Sequence, residues 1–237
     1  MKALKIALVG YGKMGQIIDE IAQNRGHQIV ARLKETPTLA NLNEADVVIE
    51  FSKPEVAYQN IKACLEQKIP VVCGTTGWLD QKPEIETYCK SQDSAFLYGS
   101  NFSLGVNLFF ELNEQLAQLM NRFPSYHCQM EEVHHTHKKD APSGTAISLA
   151  QGVIAHHEAY HNWKLDETEG QNLGIMAKRI DEVPGTHHVK YSSEVDEIEI
   201  IHTAHTRHGF ALGAVIAAEF LHDKKGVFGM KEVLFGA

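Results

Sequence analysis

The chain has 237 residues, enough for one large domain or two small ones, and its hydrophobic (43%) and charged (22%) fractions are typical of a globular protein. Its net charge of −8, with histidines neutral, argues against general nucleic-acid binding, because phosphate contacts need a basic surface. There is no apolar run of the roughly 20 residues that span a bilayer and no signal-peptide pattern, so we expect a cytoplasmic protein.

The four cysteines support the same expectation. They are Cys64, Cys73, Cys89 and Cys128, and none forms a C-x-x-C pair. Each falls in a segment whose pattern is typical of a helix or a strand. We therefore predict buried free thiols in a reducing compartment.

The first motif follows a short strand pattern over residues 4–9. It is Gly10-Tyr11-Gly12-Lys13-Met14-Gly15, and apolar residues at helical spacing follow it. In a strand-to-helix turn of this kind Gly10 permits the tight turn, Gly12 lets a pyrophosphate approach the backbone, and Gly15 lets helix and strand pack closely. We predict that residues 10–15 bind a dinucleotide; the alternative is a glycine-rich turn without a ligand.

The end of the second strand, predicted over residues 28–33, bears on the choice of cofactor. NAD-binding folds usually place an acidic residue here, on the ribose diol. This chain has Arg32-Leu33-Lys34-Glu35. Lys34 suits a 2′-phosphate, so we favour NADPH over NADH, although Glu35 could still bind a ribose. The competing interpretation leaves Arg32 and Lys34 as exposed cations.

Three further strands are predicted at 46–51, 69–73 and 95–98, with helices between them. This alternation is typical of an α/β fold, a doubly wound parallel sheet of the Rossmann type. Ligands of such sheets bind at the carboxyl ends of the strands. The loops expected to line that crevice are 10–15, 32–35, 51–53, 74–77 and 99–103.

Two of these loops add cofactor-binding candidates. Gly74, Thr75 and Thr76 begin a small, hydroxyl-bearing loop that can lie against a nicotinamide. The segment Gly99-Ser100-Asn101-Phe102 follows the next strand, and its residues are the remaining candidates.

The pattern changes from residue 104 onward. A long helix comes first, then a strand over 126–133 and a helix that begins at Ser143. Strands follow at 175–180, 187–192 and 198–203, and their β-branched and polar alternation predicts an open, mixed sheet in a separate α+β domain. We expect a surface excursion over 156–172. A final helix over 210–221 precedes a short tail at 227–234.

The densest chemistry lies before the Ser143 helix, in Glu132-Val133-His134-His135-Thr136-His137-Lys138-Lys139-Asp140-Ala141-Pro142-Ser143-Gly144-Thr145-Ala146. Three histidines and two lysines offer protons and positive charge. Ser143 can cap the helix, whose first turn presents the amides of Gly144 and Thr145. Because a helix N-terminus attracts anions, we predict an anion-binding, proton-donating loop. The alternative is a solvated connection.

This segment resembles the signature E-x-H-H-x-x-K-x-D-A-P-S-G-T of the 4-hydroxy-tetrahydrodipicolinate reductases, also called dihydrodipicolinate reductases. With the amino-terminal dinucleotide motif, the resemblance covers essentially the whole chain. It implies hydride transfer from NAD(P)H that reduces 4-hydroxy-tetrahydrodipicolinate, a cyclic dicarboxylate, to tetrahydrodipicolinate in diaminopimelate and lysine biosynthesis.

The resemblance also implies an organisation for the chain. A dinucleotide-binding domain over 1–103 is completed by 208–237, and a substrate-binding and tetramerisation domain spans 104–207. The expected assembly is a homotetramer formed through the mixed sheet.

The same resemblance implies roles for the signature residues. His134 is the general acid/base and Lys138 the proton donor. His135 helps to hold the substrate, and Gly144 and Thr145 hold a carboxylate. The residues alone leave open whether Lys138 donates a proton or anchors a carboxylate.

Three alternatives compete with this function. A metal centre is not expected, because the 14 histidines show no H-E-x-x-H or Cys/His ligand spacing, and His156, His157 and His161 are expected on the surface. Another two-domain NAD(P)-dependent dehydrogenase of amino-acid metabolism would not need the His-His-x-x-Lys loop. A non-catalytic nucleotide-sensing protein would bind NAD(P)H without turnover.

Overall fold

The computed structural model describes residues 2–34, 36–42, 44–168 and 170–236. The chain divides into two compact units, Met1–Leu104 with Arg207–Ala237, and Gly105–Thr206. Among the described residues, no helix is both long and apolar enough to cross a membrane. The possible ribose ligand Glu35 lies outside the described residues.

The first unit is built on a six-stranded parallel sheet in the order β11-β5-β4-β3-β1-β2. Its elements before the second unit are β1 (Lys5–Val9), α1 (Lys13–Asn24), β2 (Gln28–Leu33), α2 (Leu39–Leu42), β3 (Val47–Glu50), α3 (Pro54–Glu66), β4 (Val71–Cys73), α4 (Lys82–Ser91) and β5 (Ala95–Tyr98). Its elements after the second unit are α7 (His208–Leu221), β11 (Gly226–Phe228) and α8 (Met230–Phe235).

Both faces of this sheet are covered, which explains its continuous apolar strands. Along β1, Ile6 and Leu8 pack in a core with residues of α1 and α7. Ala7 and Val9 alternate with them and pack in a second core with residues of α3 and α4. The predicted doubly wound sheet of the Rossmann type is therefore confirmed.

The prediction of a short tail at 227–234 is wrong. Val227 pairs in parallel with Phe96 of β5, so β11 forms the edge of the sheet, and α8 follows it. The backbone N–H of Gly226 also donates to the carbonyl of Ser94, at 2.9 Å. A strand of three residues is too short to show a period of two, so the sequence pattern gave no signal.

The second unit holds a five-stranded sheet in the order β10-β9-β6-β8-β7. Its elements are α5 (Leu104–Met120), β6 (His127–His134), α6 (Gly144–His156), β7 (Asn162–Leu165), β8 (Asn172–Arg179), β9 (Thr186–Ser192) and β10 (Glu197–Thr203). Because β6 runs parallel to β8 and antiparallel to β9, the predicted mixed sheet is confirmed. Ile175 and Val189 pack in its core with Leu149 of α6.

The prediction of a surface excursion over 156–172 is wrong, because part of this segment forms a strand and part of it is buried. It contains the edge strand β7, whose Trp163 packs against the core. His157 is buried, so its expected surface position is also wrong. Tyr160 is buried too, and its hydroxyl accepts the backbone N–H of Cys128 at 2.7 Å. Because β7 is short, polar and mostly exposed, the sequence pattern did not predict the strand or the contacts around it.

All four cysteines are buried and free of disulfides, as predicted. Cys64 and Cys89 lie on helices α3 and α4, and Cys73 and Cys128 lie on strands β4 and β6.

Candidate active site

The glycine loop that follows β1 differs in its packing from one glycine to the next. Gly10 has φ of +91°, and a Cβ there would lie 2.0 Å from the carbonyl oxygen of Phe51. A Cβ on Gly15 would lie 2.3 Å from the carbonyl oxygen of Gly10. At Gly12, the N-cap of α1, no atom lies within 4 Å of the equivalent position. Packing therefore requires two of the glycines, and the third leaves open space where a helix N-terminus can receive a phosphate.

Four of the five predicted loops come together beside this helix start. One cavity of about 310 Å³ is lined by Met14, Phe51, Gly74, Ser100, Asn101, Phe102, Arg207 and Phe210. Another, of about 370 Å³, is lined by Gly12, Lys13, Met14, Phe51, Ser52, Pro54, Gly74, Thr75 and Thr76. Most of the predicted cofactor residues line these cavities. The predicted residues that do not line either cavity are Gly10, Tyr11, Gly15, Lys34 and Gly99.

Phe51 and Thr75 hold two of these loops together. The Phe51 ring lies 5.5 Å from that of Phe102 between centroids, and a Cβ on Gly74 would lie 2.2 Å from the Phe51 ring. The hydroxyl of Thr75 accepts the backbone N–H of Ser52 at 2.8 Å. Loop packing therefore accounts for the glycine at position 74 and for the hydroxyl at position 75, whatever these residues contact in a ligand.

The cations at the end of β2 have different surroundings. Arg32 donates from Nε and Nη2 to the carboxylate of Asp19 at 2.6 and 3.1 Å, and the Tyr11 hydroxyl donates to the same carboxylate at 2.6 Å. Burial acts to raise the pKa of Asp19, but the bonds from Arg32 and Tyr11 outweigh it and leave that pKa lowered. Arg32 is thus the counter-ion of a buried acid that sequence reasoning missed. Lys34 is exposed just beyond it.

In the second unit the signature begins on β6, where Glu132 and His134 lie two residues apart and are both buried. The backbone N–H of Ser143 donates to both oxygens of the Glu132 carboxylate, at 3.1 and 3.0 Å. The Ser143 hydroxyl accepts the N–H of Ala146 at 3.1 Å, which is the predicted N-cap of α6. The helix start is therefore fixed against a buried carboxylate.

Two residues from later strands complete the cluster. From β8, Arg179 Nη2 lies 3.1 Å from Glu132 Oε1 and also donates to the carbonyl of Asp140 at 2.6 Å. From β9, His187 Nε2 lies 3.2 Å from the Ser143 hydroxyl oxygen and 3.8 Å from Glu132 Oε2. Sequence reasoning gave neither residue a role at this site, because strand pairing alone brings them to the signature.

The charges in this cluster are set by burial and by partners. Burial acts to raise the pKa of Glu132, but the hydrogen bonds from Ser143, the charge of His134 and the hydrogen bond from Arg179 leave it lowered. Burial lowers the pKa of His134, against the charge of Glu132. Burial also lowers the pKa of His187, to about 4, so this ring is neutral near pH 7.

Glu132, His134 and His187 also form a group that could hold a metal ion, with ligand atoms within 4.8 Å of one another. The sequence spacing did not reveal this group, since His187 comes from a distant strand. Ser143 and Arg179 already bond the carboxylate, and the positive charge of Arg179 opposes a second cation there.

The remaining predicted residues surround this cluster. Lys138 Nζ lies 2.7 Å from Asp140 Oδ2, and the charge of Lys138 acts on His134 by lowering its pKa. Gly144 and Thr145 are the first two residues of α6. The ring of His135 lies 6.3 Å from that of His137, and no hydrogen bond links it to Glu132 among the described contacts.

A crevice of small residues at the end of a parallel sheet, together with a buried acid–base cluster at the start of a helix, is typical of a dinucleotide-dependent oxidoreductase. Residues 4–102 match the family model described as dihydrodipicolinate reductase, N-terminus. Residues 105–234 match the one described as dihydrodipicolinate reductase, C-terminus. The chain belongs to the dihydrodipicolinate reductase family, as its signature predicted, and the protein is a reductase.

One relative supports this assignment, and two solved structures share the fold. The 4-hydroxy-tetrahydrodipicolinate reductase of Christiangramia forsetii is 53% identical over 233 residues, 98% of each chain. A dipicolinate-bound dihydrodipicolinate reductase from Paenisporosarcina sp. TG-14 has a similar fold, with a TM-score of 0.80 and 20% identity over 99% of this chain and 100% of that one. Aspartate dehydrogenase from Thermotoga maritima shares the fold more distantly, with a TM-score of 0.51 and 12% identity over 96% and 100%.

Proposed function

We propose that the protein uses NAD(P)H to reduce 4-hydroxy-tetrahydrodipicolinate to tetrahydrodipicolinate, a step of diaminopimelate and lysine biosynthesis. The observation that carries the proposal is the buried Glu132–His134 pair on β6, which Ser143 links to the start of α6 and whose residues match the family signature. The Christiangramia relative is named for this reaction, and its match spans almost the whole chain.

The second unit supplies the means to bind and protonate the substrate. Loss of the 4-hydroxyl as water leaves a conjugated ring, and a bound dinucleotide would supply a hydride to the electrophilic carbon of that ring. Gly144 and Thr145, at the positive end of the α6 dipole, bind a substrate carboxylate, and His135 helps to hold the ring. His134 then delivers a proton to the enamine carbon that hydride addition leaves electron-rich. The overall change consumes one hydride and one proton and releases water.

Lys138 is the second proton-transfer group in this proposal. Its ammonium is paired with Asp140 and is mostly shielded from solvent, with 20% of its side chain exposed. A Lys138→Ala variant distinguishes its two possible roles. Loss of kcat at unchanged KM supports proton donation, whereas a raised KM at unchanged kcat assigns Lys138 to carboxylate binding.

The cofactor is NAD(P)H, with NADPH favoured. The open space at Gly12 and the lining of the neighbouring cavities by Lys13 and Met14 fit a dinucleotide. Because Arg32 neutralises Asp19, we assign the 2′-phosphate to the exposed Lys34.

The proposed assembly is a homotetramer formed through the mixed sheet. Ile175 and Ile200 pack with the α6 core, whereas the next residues on their strands, Met176 and Ile201, lie on the opposite face and are 45% and 52% exposed. Sedimentation of the wild type and of Met176→Lys tests this assembly: a single species of monomer mass for the wild type would contradict it. We also propose a cytoplasmic location, consistent with four buried cysteines that form no disulfide.

A coupled assay tests the activity. The substrate is generated from pyruvate and aspartate semialdehyde by the preceding synthase, and the loss of NADPH and of NADH is followed separately. We expect oxidation that depends on both starting compounds. Binding of NADPH without turnover would instead indicate a nucleotide-sensing protein. Turnover with amino acids alone would indicate another dehydrogenase.

A further inference from the structure

We propose that Glu132 is the positioning residue for His134: its buried carboxylate engages Nδ1 of the imidazole and leaves Nε2 to carry the catalytic proton. The inference rests on the proposed function, because it takes His134 as the group that transfers the proton. In this proposal Glu132 does not contact the reacting atoms; it acts on proton transfer through His134.

The geometry around the imidazole distinguishes its two nitrogens. Nδ1 of His134 is buried without a hydrogen-bond partner, and Glu132 Oε2 lies 3.5 Å from it. A protonated imidazole has a donor on each nitrogen, so an Nδ1–H directed at the carboxylate fixes the ring orientation. Beside Nε2 stands Gly185, where a Cβ would lie 3.0 Å away. Any side chain at position 185 would crowd the Nε2 side of the ring, and glycine avoids this.

Glu132 can act in this way only if it stays ionised, and its hydrogen-bond and ion-pair partners favour the ionised carboxylate. Although the side chain is fully buried, it accepts the Ser143 N–H and pairs with Arg179. These contacts hold its pKa down against the effect of burial. His187 lies 3.8 Å from the same carboxylate but does not cancel its charge, since burial lowers the pKa of His187 to about 4.

Charged groups face His134 from several elements. Burial and the positive charges of Lys138 and Arg179 disfavour its protonated form, whereas Glu132 and Asp140 favour it. His187 adds a neutral ring at 5.1 Å between centroids. Removal of the Glu132 charge would leave Asp140 as the one acid in this set that favours the protonated imidazole, against burial and two cations. The pKa of His134 would then fall further, and a smaller fraction of the enzyme would carry the protonated general acid at a given pH.

The test is Glu132→Gln, with Glu131→Gln as its matched control. Glu131 is the preceding residue on β6, and its carboxylate pairs with Lys178 rather than with the cluster. NMR titration of the His134 ring in the free protein, assigned by comparison with His134→Gln, measures protonation without turnover. We expect the His134 midpoint to move to lower pH in Glu132→Gln and to stay at its wild-type pH in Glu131→Gln.

The kinetic readout separates positioning from a general structural role. We expect kcat at pH 8 to fall about tenfold or more in Glu132→Gln, with the loss reduced towards acid pH and with KM nearly unchanged. Glu132→Asp retains the charge but withdraws it from Nδ1, so it should give an intermediate titration midpoint. This variant also serves as the test if Glu132→Gln does not fold.

An unchanged His134 midpoint in the folded Glu132 variants would overturn the inference. So would an equal loss of kcat at every pH. If the wild type fails to oxidise NAD(P)H in the coupled assay, the proposed function fails, but the NMR titration still decides whether Glu132 controls His134.

Discussion

The crevice of the parallel-sheet unit and the cluster of the mixed-sheet unit differ in what they are made of. The crevice depends on absent side chains: Gly10 and Gly74 have no room for a Cβ, and Gly12 leaves open space. The cluster depends on charged side chains that three strands and a helix start bring together, with Glu132 at its centre. Substitutions should therefore act on the crevice through shape and on the cluster through charge and protonation.

The largest effect is expected in the cluster. His134→Gln removes the general acid, and such groups typically contribute about 10²–10⁴-fold to the rate. We expect kcat to fall by that factor in the coupled assay while NADPH affinity, measured by fluorescence, is unchanged. His137→Gln is the matched control, because that side chain is 80% exposed. A similar loss in both variants would show that the loop needs its histidines only for structure.

Two glycine substitutions test the role of shape in the crevice. Gly12→Ala should keep its thermal stability and weaken NADPH binding by about tenfold, since its Cβ enters open space that we assign to the pyrophosphate. Gly10→Ala should instead lower the free energy of unfolding by about 2–4 kcal/mol, because its backbone is left-handed and its Cβ meets Phe51. Unchanged NADPH affinity in Gly12→Ala would remove this loop from the cofactor site.

A charge reversal in the crevice unit should have a smaller effect. Lys34→Glu should shift the ratio of kcat/KM for NADPH over NADH towards NADH by about fivefold, since an exposed ion pair contributes about 1 kcal/mol. Arg32 remains bonded to Asp19 in this variant. If the ratio of the two specificity constants does not move, Lys34 does not contact the 2′-phosphate.

The smallest effect concerns stability and lies away from both sites. Glu219 is bonded by Arg25 and His27, and these bonds outweigh burial and hold its pKa below the ordinary value of 4.5. Because the folded state binds this proton more weakly than the unfolded state does, the stabilisation is complete above pH 4.5. It is lost as the pH falls through the lowered pKa.

Thermal denaturation between pH 7 and pH 3 measures this contribution. Glu219→Gln should be less stable than the wild type at pH 7, by about 1 kcal/mol, and the difference should shrink below pH 4.5. The exposed Glu20→Gln provides the control. A difference between Glu219→Gln and the wild type that stays constant with pH would show that the carboxylate charge does not contribute.

The sequence predicted the crevice better than the cluster, and the reason is the range of the contacts. The glycine loop lies between a strand and a helix that are adjacent in sequence, so its spacing alone indicates its conformation. Glu132, His134 and Ser143 were visible as a signature for the same reason. Arg179 and His187 reach the signature through the pairing of β6 with β8 and β9, and no local pattern encodes that pairing.

Short or polar edge strands were the other part of the fold that the sequence did not predict. β7 and β11 have four and three residues and lie at the edges of their sheets. Because their residues are exposed or partly buried, β11 lacks the continuous apolar run of the central parallel strands, and β7 lacks the alternation of β6 and β9. The buried Asp19 was missed because an acidic residue on a helix usually faces solvent, and its partners Tyr11 and Arg32 come from other elements.

The pairing of β11 with β5 has a consequence for synthesis on the ribosome. The edge strand and α7 of the first unit come from residues after 206, whereas residues 105–206 form the second unit without interruption. Domains generally fold as units in the order of their emergence. The second unit can therefore acquire its native structure while the chain is still growing. The amino-terminal strands must wait, with an unpaired edge, until the residues of α7 and β11 leave the exit tunnel.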